Sequence, residues 1–153
     1  MEHSRHIDRE AGREALAFVA PLLERAVTDS TIGQRPGVLY DHEPDPQARG
    51  VELRRVDTLV EHAVGKPREA WDADYADYAR KKASVSWQSG LESGDERTRS
   101  YWSKQGQTTA LAGAVVIDGI VVAVSGAEPL FDEVFAGSIA LALRAAIRRR
   151  EKA

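Results

Sequence analysis

Residues 110–126 read ALAGAVVIDGIVVAVSG, two apolar runs joined by Asp118-Gly119. Asp-Gly between β-branched runs is the strongest short hairpin signal, because a two-residue type I′ loop needs positive φ at both central positions. In that register Val115, Ile117, Ile120, Val122 and Val124 share one face, and Ala112, Ala114, Val116, Val121 and Ala123 share the other. Both faces are apolar, so the strand pair needs a cover on each side. One cover follows directly in sequence. Pro129 opens a helix running to about Arg150, from which Leu130, Phe131, Val134, Phe135, Ile139, Ala142 and Ile147 are expected to face inward. Each large apolar side chain fully buried contributes roughly 1.5–3 kcal/mol, so this unit is the expected centre of the core.

Upstream, Ala11, Ala15, Leu16, Val19, Leu22, Leu23, Ala26 and Val27 recur at helical spacing, and Pro21 inside that stripe predicts a kink or a split. Residues 29–50 are rich in Gly, Pro and Asp and read as an extended arm or loop. Within them GVLY (37–40) reads as an extended piece that docks against something, a second subunit being one option. VELRRV (51–56) and LVEHAV (59–64) flank Asp57-Thr58, a spacing that predicts a second hairpin with Arg54 opposite Glu61 and Leu53 opposite His62. Residues 66–87 read as a helix carrying Trp71, Tyr75, Tyr78 and Lys82 on one stripe, and Asp95 is placed to cap a short helix through Trp102 to Lys104. Alternating helices and hairpins predict an α/β domain of the α+β type: a central antiparallel sheet of four to five strands with helices on its faces.

Composition narrows the function classes. The 153 residues suit a single domain, with 42% hydrophobic and 29% charged residues. Lys and Arg number 21 against 24 Asp and Glu, and a net charge of −3 supplies no global field for nucleic acid. Arg144, Arg148, Arg149 and Arg150 oppose the negative end of a helix dipole, which accounts for the basic tail without a nucleic-acid or membrane partner. Cysteine is absent, which excludes thiolate catalysis and Cys-ligated metal and suits a reducing compartment. The N-terminus carries charges where a secretion signal needs an apolar centre, and no run approaches membrane-spanning length, so the expected location is cytoplasmic.

ARKKASVSW (79–87) together with GAVVIDGIVVAVSGAEPLFDEVFA (113–136) resembles the haem-degrading-domain family, which includes GlcG-like and HbpS-like proteins. The matching positions are Arg80, Lys82 and Ala83, then Gly113, then Val124, Ser125, Gly126 and Asp132, and the family-like core spans 51–148. The resemblance implies a profilin-like fold, a homo-oligomer, and in some members binding of haem or a related ligand.

Five residues are candidates for ligand contact. Ser125, Gly126 and Asp132 surround a helix start, whose unpaired amides and positive dipole end suit an anion; equally, they suit a plain turn capped by its own side chains. Lys82 ends the aromatic stripe, placed either to meet a ligand carboxylate such as a haem propionate or to snorkel to solvent. His62 falls on the expected inner face as a metal or haem-iron ligand, or as a hydrogen-bonded packing residue. His3, His6 and His42 show no zinc spacing, and G-x-S-x-G, zincin and phosphate-loop motifs are absent, so no catalytic set is named. Three functions remain open, in this order: a ligand-binding protein for haem or another carboxylated cofactor, an oligomeric scaffold without a ligand, and an enzyme with a substrate-assisted mechanism, to which the sequence assigns no residues in named roles.

Overall fold

A computed structural model of the chain describes residues 9–28, 38–43, 57–63, 69 and 73–153; of residues 26–28, 38–43 and 57–63 it describes the backbone alone. The elements run α1 (Arg9–Thr28), β1 (Val38–Glu43), β2 (Asp57–Ala63), α2 (Tyr75–Ser89), a short 3-10 turn (Glu96–Thr98), α3 (Arg99–Ser103), β3 (Ala114–Ile117), β4 (Ile120–Ser125) and α4 (Pro129–Glu151). The strands form one antiparallel sheet in the order β2-β1-β4-β3.

Asp118 and Gly119 take φ of 51° and 79°, so the tight loop forms and pairs Ile117 with Ile120 and Val115 with Val122. The two hairpin faces divide as their alternation requires. Val115, Ile120, Val122 and Val124 pack against Ala11, Leu16 and Val19 of α1 and Phe135, Ile139 and Leu143 of α4. On the opposite face Ala114, Val121 and Ala123 pack against Tyr75, Ala76, Ala79 and Ala83 of α2, with Val116 alongside. The result is a three-layer α/β/α sandwich, and both apolar faces find their cover within one chain.

Several expectations need correction. Asp57 and Thr58 are not a turn: they pair with Glu43 and His42 inside the sheet, where His62 pairs with Leu39. Backbone pairing with β1 satisfies more donors and acceptors than a two-residue loop could, and neither Asp nor Thr suits positive φ as glycine does. Residues 51–56 lie outside the described residues, as do 29–37 and 44–50 of the expected arm. The Val-Leu-Tyr of the extended piece belongs to β1, which lies between β2 and β4 and pairs Leu39 with Val124. Helix α1 continues through Pro21 as one element. Leu22, Leu130, Phe131 and Val134, expected to face the core, are exposed, whereas Phe135, Ile139 and Ile147 are buried. Apolar residues occur on more than one side of α4, so periodicity alone could not choose its inner face. Helix α2 begins at Tyr75 under an Asp74 cap, whose carboxylate accepts the Asp77 amide at 3.0 Å; Trp71 lies outside the described residues.

In the loop after α2 one buried residue, Ser93, acts as a strut. Ser93 donates through Oγ to Leu111 O at 2.6 Å and accepts the Ala114 amide at 3.0 Å, while its carbonyl accepts Trp102 Nε1 at 2.8 Å and Thr98 Oγ1 at 3.0 Å. It pins the entry to β3 against the short helices, so the hairpin edge is held from two directions.

Candidate functional site

Lys82 sits on the sheet-facing side of α2, one turn beyond Tyr78. Its side chain neither snorkels nor reaches solvent. Nζ donates to Val124 O at 3.0 Å and to Asp132 Oδ2 at 3.0 Å, with 4% of the Lys82 side chain and 2% of the Asp132 side chain exposed. Asp132 comes from the first turn of α4, where its amide donates to Glu128 O. Its other oxygen, Oδ1, accepts the Ala127 amide at 2.9 Å, and the Gly126 amide also donates to the carboxylate. Glu128 makes no side-chain cap, so Asp132 supplies the anion that the helix start requires.

Gly113 makes room for the ammonium. Its φ is +133°, and a Cβ there would lie 2.6 Å from Lys82 Nζ, 2.6 Å from Val124 O and 3.0 Å from Asp132 Cβ. Any side chain would be strained in backbone and would press on the ion pair. Its carbonyl accepts the Val124 amide at 2.8 Å, which ties the approach to β3 to the end of β4.

Lys82, Gly113, Val124, Gly126 and Asp132 therefore meet, although the sequence spreads them over 51 positions from 82 to 132. Ser125, the last residue of β4, is buried, follows Val124 in the strand and pairs with Val38. Ala83, also in the motif, is fully buried against the sheet, and Arg80 is exposed. His62 stands apart from the group. Its backbone pairs with Leu39, which pairs in turn with Val124, two strands or roughly 10 Å across the sheet.

Burial opposes both charges. It lowers the Lys82 ammonium below the usual lysine range, against the pull of Asp132. It raises the Asp132 carboxyl to about 6, outweighing Lys82 and the Ala127 and Gly126 amides that hold it down. A carboxyl displaced in this way can take up a proton near neutral pH, and a partly desolvated ammonium beside it can accept another carboxylate in exchange. The sequence holds a signal for this pairing: a lysine on an apolar stripe and an aspartate beside a buried strand are each costly alone and acceptable together. Ser93 and the Val124 carbonyl carry no such signal.

No family model matches the chain, and no curated protein matches it in sequence. Solved structures do. Streptomyces reticuli HbpS, crystallised as a double mutant in which two glutamates are replaced by aspartates, matches 92% of this chain over 89% of its own, with a TM-score of 0.58 and 20% identity. The chain has the HbpS fold. Klebsiella pneumoniae protein ORFY, of family-model DUF336, matches 95% of this chain over 97% of its own, with a TM-score of 0.58 and 16% identity. At such identities the likeness is one of fold, and the α+β architecture is shared along nearly the whole length. Among the described residues no helix is long and apolar enough to cross a membrane.

Proposed function

We propose that the chain is a small ligand-binding protein with a profilin-like core, similar in kind to the HbpS-like and GlcG-like proteins. It takes haem or another carboxylated cofactor, and it acts as a cytoplasmic homo-oligomer. One observation carries the reading: a buried lysine and aspartate, both pushed toward their neutral forms, beneath the Ser125-Gly126 corner. Perturbed titratable pairs of this kind concentrate at functional sites. Lys82 Nζ and the amides of Gly126 and Ala127 form a donor set that fits one carboxylate, and Asp132 occupies it. A ligand carboxylate replaces Asp132 on Lys82, and Asp132 takes up a proton as it withdraws. Binding therefore tightens as pH falls toward about 6 and levels off below it, where Asp132 is already protonated before the ligand arrives. The same donors suit a haem propionate, and His62 is the candidate for the iron.

Hemin titration followed at the Soret band tests this. Saturable binding by the wild type is expected, weakened roughly tenfold or more in Lys82→Met, since a hydrogen bond to a charged group contributes about 1.5–3 kcal/mol. Absence of a Soret shift and of saturation removes the haem version. Unaltered binding in Lys82→Met removes the corner as the site.

A second reading, an assembly module without a ligand, is favoured by a different observation. Phe18, Leu22, Leu130, Val134 and Leu141 stand exposed on the α1/α4 layer, an apolar display that single chains seldom leave in water.

A further inference from the structure

The outer side of α4 is built like one half of an interface. At 100° per residue, Leu130, Val134, Leu141 and Ala145 fall within about 60° of one another, opposite the buried Phe135, Ile139, Leu143 and Ala146. Leu130 is 74% exposed, Val134 55% and Leu141 47%. The stripe is symmetric about a point between Gly137 and Ser138. Val134 and Leu141 are equidistant from it, and so are Leu130 and Ala145. Open space lies where a Gly137 Cβ would project, so backbones can approach closely at that point.

Charge selects the direction of approach. Glu128 and Glu133 lie at the N-terminal end of α4, with Glu92 acting on Glu133, while Arg144, Arg148, Arg149 and Arg150 lie at the other end. A parallel copy would set like charges together, whereas an antiparallel copy sets Glu133 beside Arg144, whose guanidinium also holds Asp118 of its own chain, and opposes the two helix dipoles.

We propose that α4 pairs antiparallel with α4 of a second copy about a two-fold axis between Gly137 and Ser138. The inference rests on the homo-oligomer reading and adds its surface, its symmetry and its register. An isologous contact of this kind places Val134 of each chain against Leu141 of the other.

Light scattering and sedimentation on the full chain test it through a rescue. Val134→Glu and Leu141→Lys each weaken the dimer roughly tenfold or more, as expected for residues at the centre of an interface. The double variant restores it, because the carboxylate introduced at position 134 of one copy then meets the ammonium introduced at position 141 of the other. Within one chain these positions are about 10 Å apart along the helix, so the rescue is intermolecular. The chain has no cysteine, so Ser138→Cys gives a second readout: oxidation yields a covalent dimer joined only there. A wild type that stays monomeric at every concentration overturns both this inference and the homo-oligomer reading. An oligomer unchanged by either single variant keeps that reading and overturns the α4 interface. Single variants that break the dimer with no rescue in the double overturn the antiparallel register, and Ser138→Cys chains that stay uncrosslinked count against the axis.

Discussion

Asp132 meets Lys82 at 3.0 Å in the interior, and Asp95 meets Arg97 at 2.8 Å on the surface. The carboxylates respond in opposite directions. Burial raises Asp132 to about 6 in spite of its partner, whereas side-chain and backbone hydrogen bonds from Arg97 hold Asp95 down to about 2. Separation is nearly the same, so solvent decides the sign. Taking two ions out of water costs several kcal/mol for each, which attraction offsets only when geometry and further hydrogen bonds are good. The inner pair is thus not an added increment of stability. It makes one docking of α2 against β4 and α4 acceptable, since any other leaves two ions stranded.

The contrast is broken most severely by removing one inner partner. Asp132→Ala strands the Lys82 ammonium and takes the acceptor from the Ala127 amide, and denaturant unfolding is expected to show a loss of about 3–5 kcal/mol. The double variant Lys82→Met with Asp132→Asn keeps an acceptor for Ala127 and removes both charges, so it recovers most of that loss. A double variant no better than Asp132→Ala would show that the two residues act separately.

A smaller effect comes from pH. The folded carboxyl of Asp132 lies at about 6 against an ordinary 3.8, so the folded state holds the proton more tightly. Stability from this group is fully present below 3.8 and is lost as pH rises through about 6. Unfolding free energy should therefore decline between about pH 4 and 6, by up to about 2–3 kcal/mol from this group, and Asp132→Asn should remove that part of the slope. Identical wild-type and variant profiles across this window would contradict the burial argument. The smallest effect belongs to the outer pair. Arg97→Ala removes a solvent-screened partner and should leave the melting temperature where other neutral surface variants leave it. A clear drop would show that the outer pair is more than a surface contact.

Much of this is legible where the information is local. Asp118-Gly119 specifies its own loop, and alternation from it assigns every residue of β3 and β4 to a face. The capping role of Asp95 and the place of Pro129 at a helix start also follow from their neighbours. Legibility ends where a residue's partner is remote. Asp57-Thr58 reads as a turn because β1, which pairs with it, lies beyond an intervening stretch. Lys82 and Asp132 each stand out, yet nothing in their spacing of 50 residues joins them. Leu130 and Val134 read as inward because an apolar residue signals burial without saying whether its own chain or another copy supplies the cover.

By itself the sequence determined the hairpin, the helices and the demand that β3 and β4 be covered on both faces. Those follow from backbone sterics and a two-residue period, which act between neighbours. Only the tertiary structure decided that α2 supplies the second cover, that β1 enters between β2 and β4, and that a lysine and an aspartate share one buried site. Such choices turn on which distant surfaces exclude water from each other, a property of the assembled chain and not of any segment within it.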